Sequence, residues 1–390
     1  MDRIHKRNAN REAILRALHF EGPLRRGALS ARLGIRKSSV TSLTAELLDA
    51  GILDETRPGT PRSPLRLRPD GAHVAVAHLE PGHIRLGRVG LDGAIRDTRS
   101  ISLLNTTPTR TLPRLASELA RLLADPPGLA LGLGVALPGI VDPDTGHVVF
   151  SSSLGGWQDV PLAAELSRRL GQPVRIDNDV RCQLWAGAWF RRLLRDAANL
   201  FYVGVLDGVA CALILHGRRV VGGRHAAGEV GHVRAGGTGR RCSCGKTDCL
   251  ETYCSLPALL EDARRARRGA RIESADDLAR LAASEPAVRR VLESAAQRLA
   301  RVLAPVLAAV DPDVVVLGSG SRALAEALTP PLDRALRDEL VGQAPRQPLI
   351  RIGDPDKTST LQGIAGLVLE SAFGSGEFAA SRRGAPNSRP

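Results

Sequence analysis

A short segment of the chain concentrates residues that can bind a metal ion. Gly228–Thr252, which reads "GEVGHVRAGGTGRRCSCGKTDCLET", holds one histidine, three cysteines and two glutamates. Three thiolates and one imidazole form a set that suits tetrahedral zinc, and the Cys-X-Cys-Gly-X3-Cys spacing is specific. The predicted ligands are His232, Cys242, Cys244 and Cys249. The alternative is a hydrogen-bonded surface histidine beside three reduced thiols without a metal.

The number of ligands indicates what such a metal would do. Four protein ligands leave no open coordination position, so a structural zinc is favoured over metal-assisted hydrolysis. Glycines at 236, 237, 239 and 245 provide the tight turns that a loop around an ion needs. Six cysteines in the whole chain are too few for a disulfide scaffold, which favours reduced thiols.

Length and composition predict a globular protein. The 390 residues are 43% hydrophobic, enough to bury a sizeable core in two or three domains. No apolar run approaches the ~20 residues that a membrane helix requires, and the start of the chain lacks a signal-type apolar core. We therefore expect a cytoplasmic protein without a membrane partner.

The basic charge is concentrated near the N-terminus. The net charge is +13, but the 54 basic residues comprise 50 Arg and 4 Lys, a bias that by itself says little about function. Residues 1–70 hold 14 Lys or Arg against 8 Asp or Glu, a net charge of +6 in less than a fifth of the chain. This concentration predicts that DNA contacts lie there.

The same N-terminal residues carry a helix-turn-helix pattern. "NREAILRALHF" (Asn10–Phe20) places Ile14, Leu15, Ala17 and Leu18 on one apolar face, and two further short helices follow, separated by a turn at Gly34. The short turn lets one helix brace the next against the phosphate backbone, so that the N-terminal residues of the latter reach base edges. Those residues are Lys37, Ser38, Ser39, Thr41 and Ser42.

A wing is predicted after the third helix. "DETRPGTPRSPLRLRP" (54–69) has alternating leucines that suggest a small hairpin with arginines on its exposed positions, and Arg62 is the predicted phosphate contact. The order of these features resembles the winged helix-turn-helix of many bacterial repressors. The alternative is an ordinary helical hairpin with a solvated basic loop.

From residue 71 onward the pattern changes to mixed α/β. Three short β runs form a plausible meander, and helices then alternate with buried strands, which predicts a sheet with crossover helices. We assign residues 1–70 to a winged helix-turn-helix domain and 71–373 to the α/β domain. Residues 374–390 lack apolar periodicity and are predicted to form a disordered tail.

Several motifs together resemble one family. "GEVGH" followed by "CSCGKTDCLE" resembles the ROK family of repressors and sugar kinases, and so do Gly134–Leu162 and the strand in "RIDNDVRCQLWAGAW". The resemblance covers most of the chain. It implies an actin-like, ribonuclease H-like sugar-kinase fold with two lobes for residues 71–373. With a winged helix in front, the architecture is similar to the family's regulators of xylose or N-acetylglucosamine genes.

The resemblance also implies a set of sugar-binding residues. In the family's kinases an Asn-Asp pair holds a sugar hydroxyl and the aspartate takes its proton. The implied sugar contacts here are Asn178, Asp179, Glu229, His232 and Glu251. Amide and carboxylate groups suit this task, because the amide both donates and accepts while the carboxylate accepts and orients. A salt bridge for Glu229, and a simple strand-end turn for Asn178 and Asp179, are the alternatives.

Both phosphate-binding motifs of the kinases are altered. His78-Leu79-Glu80-Pro81-Gly82 stands where the kinases carry Asp-X-Gly-Gly-Thr, and Leu206-Asp207-Gly208-Val209-Ala210 replaces Gly-Thr-Gly-Ile-Gly. Acidic residues repel phosphate and proline has no N–H to offer it. The sequence therefore predicts a sugar sensor without catalytic residues, in which Asp179 keeps only the position of the former general base.

Two other departures leave the ligand open. Ser153 replaces an asparagine and Asp248 a glycine that are usual in the family. A hexose, an amino sugar, xylose or one of their phosphates fits the predicted pocket. The favoured function is a sugar-responsive repressor that binds a pseudo-palindromic operator as a homodimer or homotetramer. The alternatives are a ROK-type sugar kinase and a protein-interaction module with a zinc staple.

Overall fold

The N-terminal part of the chain forms three helices and a hairpin. The computed structural model describes residues 2–60, 62–124, 128–195, 197–340, 349–353 and 358–375. The first elements are α1 (Asp2–Glu21), α2 (Arg26–Leu33), α3 (Lys37–Asp49), β1 (Leu53–Glu55) and β2 (Leu65–Leu67), with β1 and β2 antiparallel. The predicted helices and hairpin are therefore present, while their assignment as a winged helix-turn-helix domain stays a prediction. The predicted apolar face of α1 is buried, from Ile14 to Leu18. However, α1 begins at Asp2 rather than Asn10, because its polar first turns have no apolar periodicity to reveal them.

A five-stranded mixed sheet follows. Its elements are β3 (Ala72–Glu80), β4 (His83–Gly90), β5 (Ile95–Ser102), α4 (Pro108–Leu123), β6 (Leu129–Leu137), α5 (Leu162–Leu170), β10 (Val174–Asn178) and α6 (Asp179–Trp189). The strand order is β10-β6-β3-β4-β5, with β10, β6 and β3 parallel and the meander antiparallel. A small sheet between β6 and α5 was not predicted, because its strands are only three or four residues long: β7 (Ile140–Asp142), β8 (His147–Phe150) and β9 (Gln158–Val160).

Helices cover both faces of this sheet. On one face, leucines of α4 and α5 join Ala75, Ala77 and Leu79 of β3 in one apolar core. On the other face, the C-terminal helix α12 (Ser359–Ser375) lies directly on β6. Gly134 permits this contact, because a Cβ there would come within 2.8 Å of Ile364. The close approach explains why a glycine stands at position 134 of this strand.

The second sheet has five strands and its own helical layer. Its elements are β11 (Leu200–Val205), β12 (Val209–Leu215), β13 (Arg218–Arg219), α7 (Glu251–Cys254), α8 (Leu256–Ala266), α9 (Ala275–Ser284), α10 (Pro286–Val310), β14 (Val314–Ser319), α11 (Arg322–Glu339) and β15 (Leu349–Ile352). The strand order is β13-β12-β11-β14-β15. Residues of β11, β12 and β14 pack with leucines and alanines of α8 to α11 in a separate core.

The chain divides into two compact units. One comprises Met1–Arg192 with Thr360–Pro390, and the other comprises Leu193–Ser359. Two mixed α/β units, the first of which begins with the helical segment, confirm the predicted fold class, while the domain boundaries at 70 and 373 stay predictions. Gly374 and Ser375 lie in α12, and the rest of the predicted tail lies outside the described residues. Among the described helices, none is long and apolar enough to cross a membrane.

An aromatic cluster connects α1 to helices α6 and α12. Five of the chain's eleven Phe, Trp and Tyr residues belong to it: Phe20, Trp185, Trp189, Phe190 and Phe373. His19 of α1 lies against Trp189 with ring centroids 4.8 Å apart, and its Nε2 is 3.1 Å from the Trp189 carbonyl oxygen. Arg16 adds an ion pair of 3.1 Å with Glu370 of α12. Helix α1 is thus packed onto α6 and α12.

Candidate functional site

Asn178 caps helix α6 at the carboxyl end of β10. Its Oδ1 accepts hydrogen bonds from the backbone N–H groups of Val180 (2.9 Å) and Arg181 (3.1 Å), and its Nδ2 donates to the Gly139 carbonyl (3.0 Å). The side chain of Asn178 therefore organises the turn at the end of the strand, as the alternative to sugar binding assumes. One N–H of the amide lies beyond these three bonds, and it is the group that a sugar hydroxyl could use.

A buried ion pair braces this turn. Asp177 Oδ1 lies 2.6 Å from Arg181 Nε, and both side chains are almost fully buried. Arg181 Nη2 also donates to the Val141 carbonyl at 2.8 Å, and Asp177 accepts from the Asn178 N–H. We did not predict these two residues. The i, i+4 spacing of Asp and Arg in "DNDVR" is the signal that indicates them.

Asp179 is the more open member of the Asn-Asp pair. Its Oδ1 accepts the Val180 N–H at 2.8 Å, and its side chain is 20% exposed. The other oxygen lies 3.6 Å from Nε2 of His78, a residue of the altered phosphate motif. In the sequence, His78 drew attention only because it belongs to the segment that replaces the Asp-X-Gly-Gly-Thr motif of the kinases. The structure places it beside Asp179.

Glu229, His232 and Glu251 lie together in the second unit. His232 Nδ1 is 3.5 Å from Glu251 Oε1, and His232 Nε2 is 3.7 Å from Glu229 Oε2. Glu229 and His232 belong to a short turn against β12, and Glu251 begins α7. Asn178 and Asp179 belong to the first unit. Two of the five predicted sugar contacts thus lie next to each other in the first unit, and the other three lie together in the second.

Two glycines allow the "GEVGH" turn to lie against the backbone of β12. A Cβ at Gly228 would come within 2.0 Å of the Cys211 carbonyl oxygen, and one at Gly231 within 1.8 Å of that of Val209. Any side chain at either position would force the turn away from the strand. These glycines therefore set where Glu229 and His232 lie.

The four predicted zinc ligands come together. The donor atoms of His232, Cys242, Cys244 and Cys249 all lie within 4.8 Å of one another. Cys244 Sγ and Cys249 Sγ are 3.7 Å apart, and Cys242 Sγ is 3.5 Å from His232 Nδ1. A tetrahedral zinc with bonds of about 2.3 Å to sulfur and 2.0–2.1 Å to nitrogen has edges of roughly 3.8 and 3.6 Å. The donor set and its spacing fit a metal ion.

His232 has a separate partner for each ring nitrogen. Nδ1 faces the thiols, while Nε2 faces Glu229. A metal-bound histidine usually turns its other nitrogen to a carboxylate or a polar ligand. One side chain can therefore serve both predicted roles.

The thiol of Cys242 also approaches a carboxylate. It donates a hydrogen bond to Glu251 Oε1 at 2.9 Å. Burial raises the pKa of this thiol, and the hydrogen bond to Glu251 raises the pKa further. A bound cation would favour the thiolate instead, which couples metal binding to proton release.

Asp248, the residue that departs from the family pattern, organises the loop. It adopts the left-handed backbone conformation (φ 60°) in which glycine is common. Its Oδ1 accepts the N–H groups of Thr238, Gly239 and Arg240 at 2.8–3.2 Å, together with the Tyr253 hydroxyl. The hydroxyl, with the amides, holds the pKa of this carboxyl below its usual range. The departure thus supplies the loop with its own hydrogen-bonded support.

The altered phosphate motifs form two turns. Pro81 and Gly82 make the tight turn between β3 and β4, with Glu80 paired to His83 across the hairpin. Glu80 is held by Arg85, whose Nε is 2.8 Å from its Oε2. In the second motif, Asp207 is exposed between β11 and β12.

The predicted DNA contacts lie on the surface of the N-terminal elements. Around the start of α3, Lys37, Ser38, Thr41 and Ser42 are exposed, whereas Ser39 is half-buried. The Thr41 hydroxyl donates to the Lys37 carbonyl at 2.9 Å. Arg62 is exposed in the segment that links β1 and β2. The four predicted wing arginines are all exposed, as expected: Arg57, Arg62, Arg66 and Arg68.

Comparison with known proteins identifies the family of this chain. A profile of the ROK family matches residues 82–371. The chain belongs to the ROK family. A putative xylose repressor from Caldicellulosiruptor sp. is 31% identical over 64% of this chain, and the match spans 65% of that relative's length. The match of this ROK chain thus spans slightly less than two thirds of the length of that relative.

Solved ROK structures include regulators and kinases. A ROK family transcriptional regulator described as a homologue of the E. coli Mlc protein superposes with a TM-score of 0.80 at 23% identity, and covers 95% of this chain and 98% of its own. A ROK glucokinase from Streptomyces griseus, solved with glucose and AMPPNP, has a TM-score of 0.66 at 20% identity over 76% of this chain and 98% of its own. Both share the fold of this ROK chain.

Proposed function

We propose that this chain is a sugar-responsive transcriptional repressor. The observation that carries the proposal is the N-terminal segment, in which Lys37 and most of the polar residues that follow it at the start of α3 are exposed, beside a hairpin with exposed arginines. This is the arrangement by which a winged helix contacts base edges and phosphates. Operator DNA is the proposed partner and the cytoplasm the proposed location. Two-fold pairing of chains on a pseudo-palindromic operator would extend the sequence that is read.

The extent of the structural matches supports a regulator. The glucokinase superposes over 98% of its own length yet over only 76% of this chain, whereas the regulator reaches 95% of this chain. About a quarter of this chain therefore has no counterpart in the kinase. A sugar kinase explains the ROK domain alone, while a repressor explains both parts of the chain.

The proposed effector is a sugar. Its proposed contacts are Asn178, Asp179, Glu229, His232 and Glu251. Amide, carboxylate and imidazole groups suit hydroxyl recognition, and the structure of the Streptomyces griseus glucokinase contains glucose. We propose a structural zinc ion at His232, Cys242, Cys244 and Cys249, which would fix the loop that carries the histidine.

Helix α6 offers a route from the sugar contacts to the DNA-binding helices. It begins at Asp179 and ends at Trp189, which contacts His19 and Phe20 of α1. A sugar that shifts the start of this helix would act on the packing of α1. Such a ligand changes DNA affinity only by its differential affinity for the two arrangements.

We propose that the chain does not transfer phosphate. Glu80, Pro81 and Asp207 place two carboxylates and a residue without an N–H in the turns that correspond to the phosphate motifs. A coupled assay for ADP production with D-glucose, D-xylose and N-acetyl-D-glucosamine tests this, with calorimetry of the same sugars in parallel. We expect sugar binding that ATP does not alter and no ADP above background. Sugar-dependent turnover near 1 per second would support the kinase instead.

A further inference from the structure

His78 is a buried side chain without a hydrogen-bond partner. It is 5% exposed, and neither ring nitrogen forms a hydrogen bond within the described part of the chain. Buried polar groups in native proteins are nearly always satisfied by protein, water or ligand. A buried imidazole with two unused nitrogens therefore points to something that binds there.

The strand pattern places His78 at the edge where ligands bind in such sheets. Ala77 and Leu79 face the apolar core, so His78 between them faces the opposite side of β3. It lies two residues before Glu80, the last residue of the strand, and is paired with Ala136 of the parallel strand β6. Ligands of α/β sheets bind outside the carboxyl ends of parallel strands, and Asp179 follows β10 at this same edge.

The distance between His78 and Asp179 is one that a bridging hydroxyl group can span. Nε2 and Oδ2 are 3.6 Å apart, which is too long for a direct hydrogen bond. An oxygen at ordinary hydrogen-bonding distance from both atoms completes a triangle with them. A hydroxyl can accept a hydrogen bond from the imidazole and donate one to the carboxylate, which a methyl group or an ether oxygen cannot do.

The neighbouring charges favour this arrangement. Nδ1 lies 4.0 Å from Glu80, but that carboxylate is already paired with Arg85. Among the described residues, Asp179 has no Arg or Lys within salt-bridge distance. The carboxylate of Asp179 therefore favours a proton on the nitrogen that faces it, Nε2. The same carboxylate, with Glu80, disfavours a phosphate group at this position.

We propose that His78 is a sugar-contacting residue whose Nε2–H, together with the Asp179 carboxylate, holds one sugar hydroxyl. The inference rests on the proposed function, because it takes the ligand to be a sugar. It narrows the effector to sugars in which this hydroxyl is free, rather than absent, methylated or phosphorylated. His78 is then a residue that determines specificity.

Calorimetry on the full-length zinc-loaded protein tests the inference. The probes are D-glucose, D-xylose and N-acetyl-D-glucosamine, followed by the monodeoxy forms of whichever binds wild type most tightly. His78→Phe keeps the volume and removes both nitrogens, and His73→Phe is the matched control, since His73 is equally buried in the same strand. We expect His78→Phe to weaken binding about tenfold, as for one lost hydrogen bond to a charged or polar partner. His73→Phe should leave the affinity unchanged.

The deoxy sugars identify the hydroxyl. One of them should bind wild type about tenfold more weakly than the parent sugar and bind wild type and His78→Phe equally. If His78→Phe does not fold, His78→Gln should show the same loss for the same sugar. Equal weakening for every analogue, or no weakening, would overturn the inference.

The experiment separates this inference from the proposed function. Calorimetry needs no DNA, so a His78-dependent sugar affinity would stand even if DNA binding ignored the sugar, an outcome that contradicts only the repressor. Sugar-responsive DNA binding with an unchanged His78→Phe affinity would contradict only this inference. Failure of all three sugars to bind would overturn both.

Discussion

At the scale of single residues, two sets of interactions stabilise the cysteine-rich loop between His232 and Cys249. One is the set of four donors around the proposed zinc, and the other is Asp248 with its backbone amides and Tyr253. The first depends on a metal and the second does not. Mutations in the loop should therefore act separately on metal content and on folding.

Cys244→Ser should remove zinc without unfolding the protein. Serine is a poor zinc ligand, so we expect about one zinc per chain in wild type and a loss of most of it in the variant. Elemental analysis after gel filtration measures this. Cys182→Ser is the control, because that cysteine lies outside the cluster. Wild-type protein purified without zinc, or a Cys244→Ser variant that keeps it, would contradict the assignment.

Gly231→Ala should destabilise the protein through the backbone. The new Cβ would lie within 1.8 Å of the Val209 carbonyl oxygen, so the turn must move, at a cost of roughly 1–3 kcal/mol in the free energy of unfolding. Gly237→Ala is the control, because nothing lies within 4 Å of a Cβ there, and it should change stability by less than about 0.5 kcal/mol. Urea unfolding followed by fluorescence gives both values. Equal effects would mean that the close approach of the turn to β12 is not required.

At the scale of elements, the contact between α1 and α6 contains a titratable group. Burial lowers the pKa of His19 to about 4, which outweighs the opposing hydrogen bond to the Trp189 carbonyl. A histidine in the unfolded chain titrates near 6.5. As pH falls below 6.5 the unfolded state takes up a proton, while the folded state does so only near 4. Folded stability is therefore lost across this window as the pH decreases.

The expected loss is about 3 kcal/mol between pH 6.5 and 4, with the full effect reached only below the lower value. His19→Gln should remove this part of the pH dependence. Denaturant unfolding of both proteins at several pH values gives the difference, in which the shared carboxylate titrations cancel. Parallel curves for the two proteins would contradict a neutral, buried His19.

The wing and the recognition helix should contribute differently to DNA binding. Arg62→Ala should weaken binding to all sequences and reduce the slope of log K against log salt by about 0.9, as for one lost phosphate contact. Ser39→Ala should instead reduce the preference for operator over random DNA. Anisotropy titrations at several salt concentrations measure both quantities, with Arg271→Ala, a change on the second unit, as the control. A uniform loss from Ser39→Ala would remove that residue from the readout set.

The elements that could be predicted from sequence are those with a long, regular pattern. The apolar face of α1 from Ile14 to Leu18, the meander and the alternating helices and strands were predicted because each repeats over several residues. The three short strands between β6 and α5 have too few residues for a period. The polar first turns of α1 carry no signal at all.

Prediction of the candidate site from sequence likewise succeeds only where the signal is local in the chain. The metal donors are close in sequence and have a specific spacing, so they were predicted together. The contact of His78 with Asp179 joins residues a hundred positions apart, and nothing local indicates it. Asp248 counted as a departure from the family, whereas its hydrogen bonds to the loop amides require the three-dimensional turn.

At the scale of the whole molecule, α6 connects the proposed sugar contacts of the ROK domain to α1 of the proposed DNA-binding segment. Asp179 begins α6 and Trp189 ends it against α1, so a change at one end has a physical path to the other. A path alone does not establish coupling, since both ends must bias the same two arrangements. Coupling has to be measured as an effect of sugar on DNA affinity.

The most direct test is an anisotropy titration of DNA from upstream of the gene, with and without D-glucose, D-xylose or N-acetyl-D-glucosamine. We expect one of these sugars to change the DNA dissociation constant at least fivefold, in the range typical of allosteric coupling, and Asp179→Asn to reduce the change. A DNA affinity that no sugar alters in wild type, at concentrations that calorimetry shows to be saturating, would contradict this expectation.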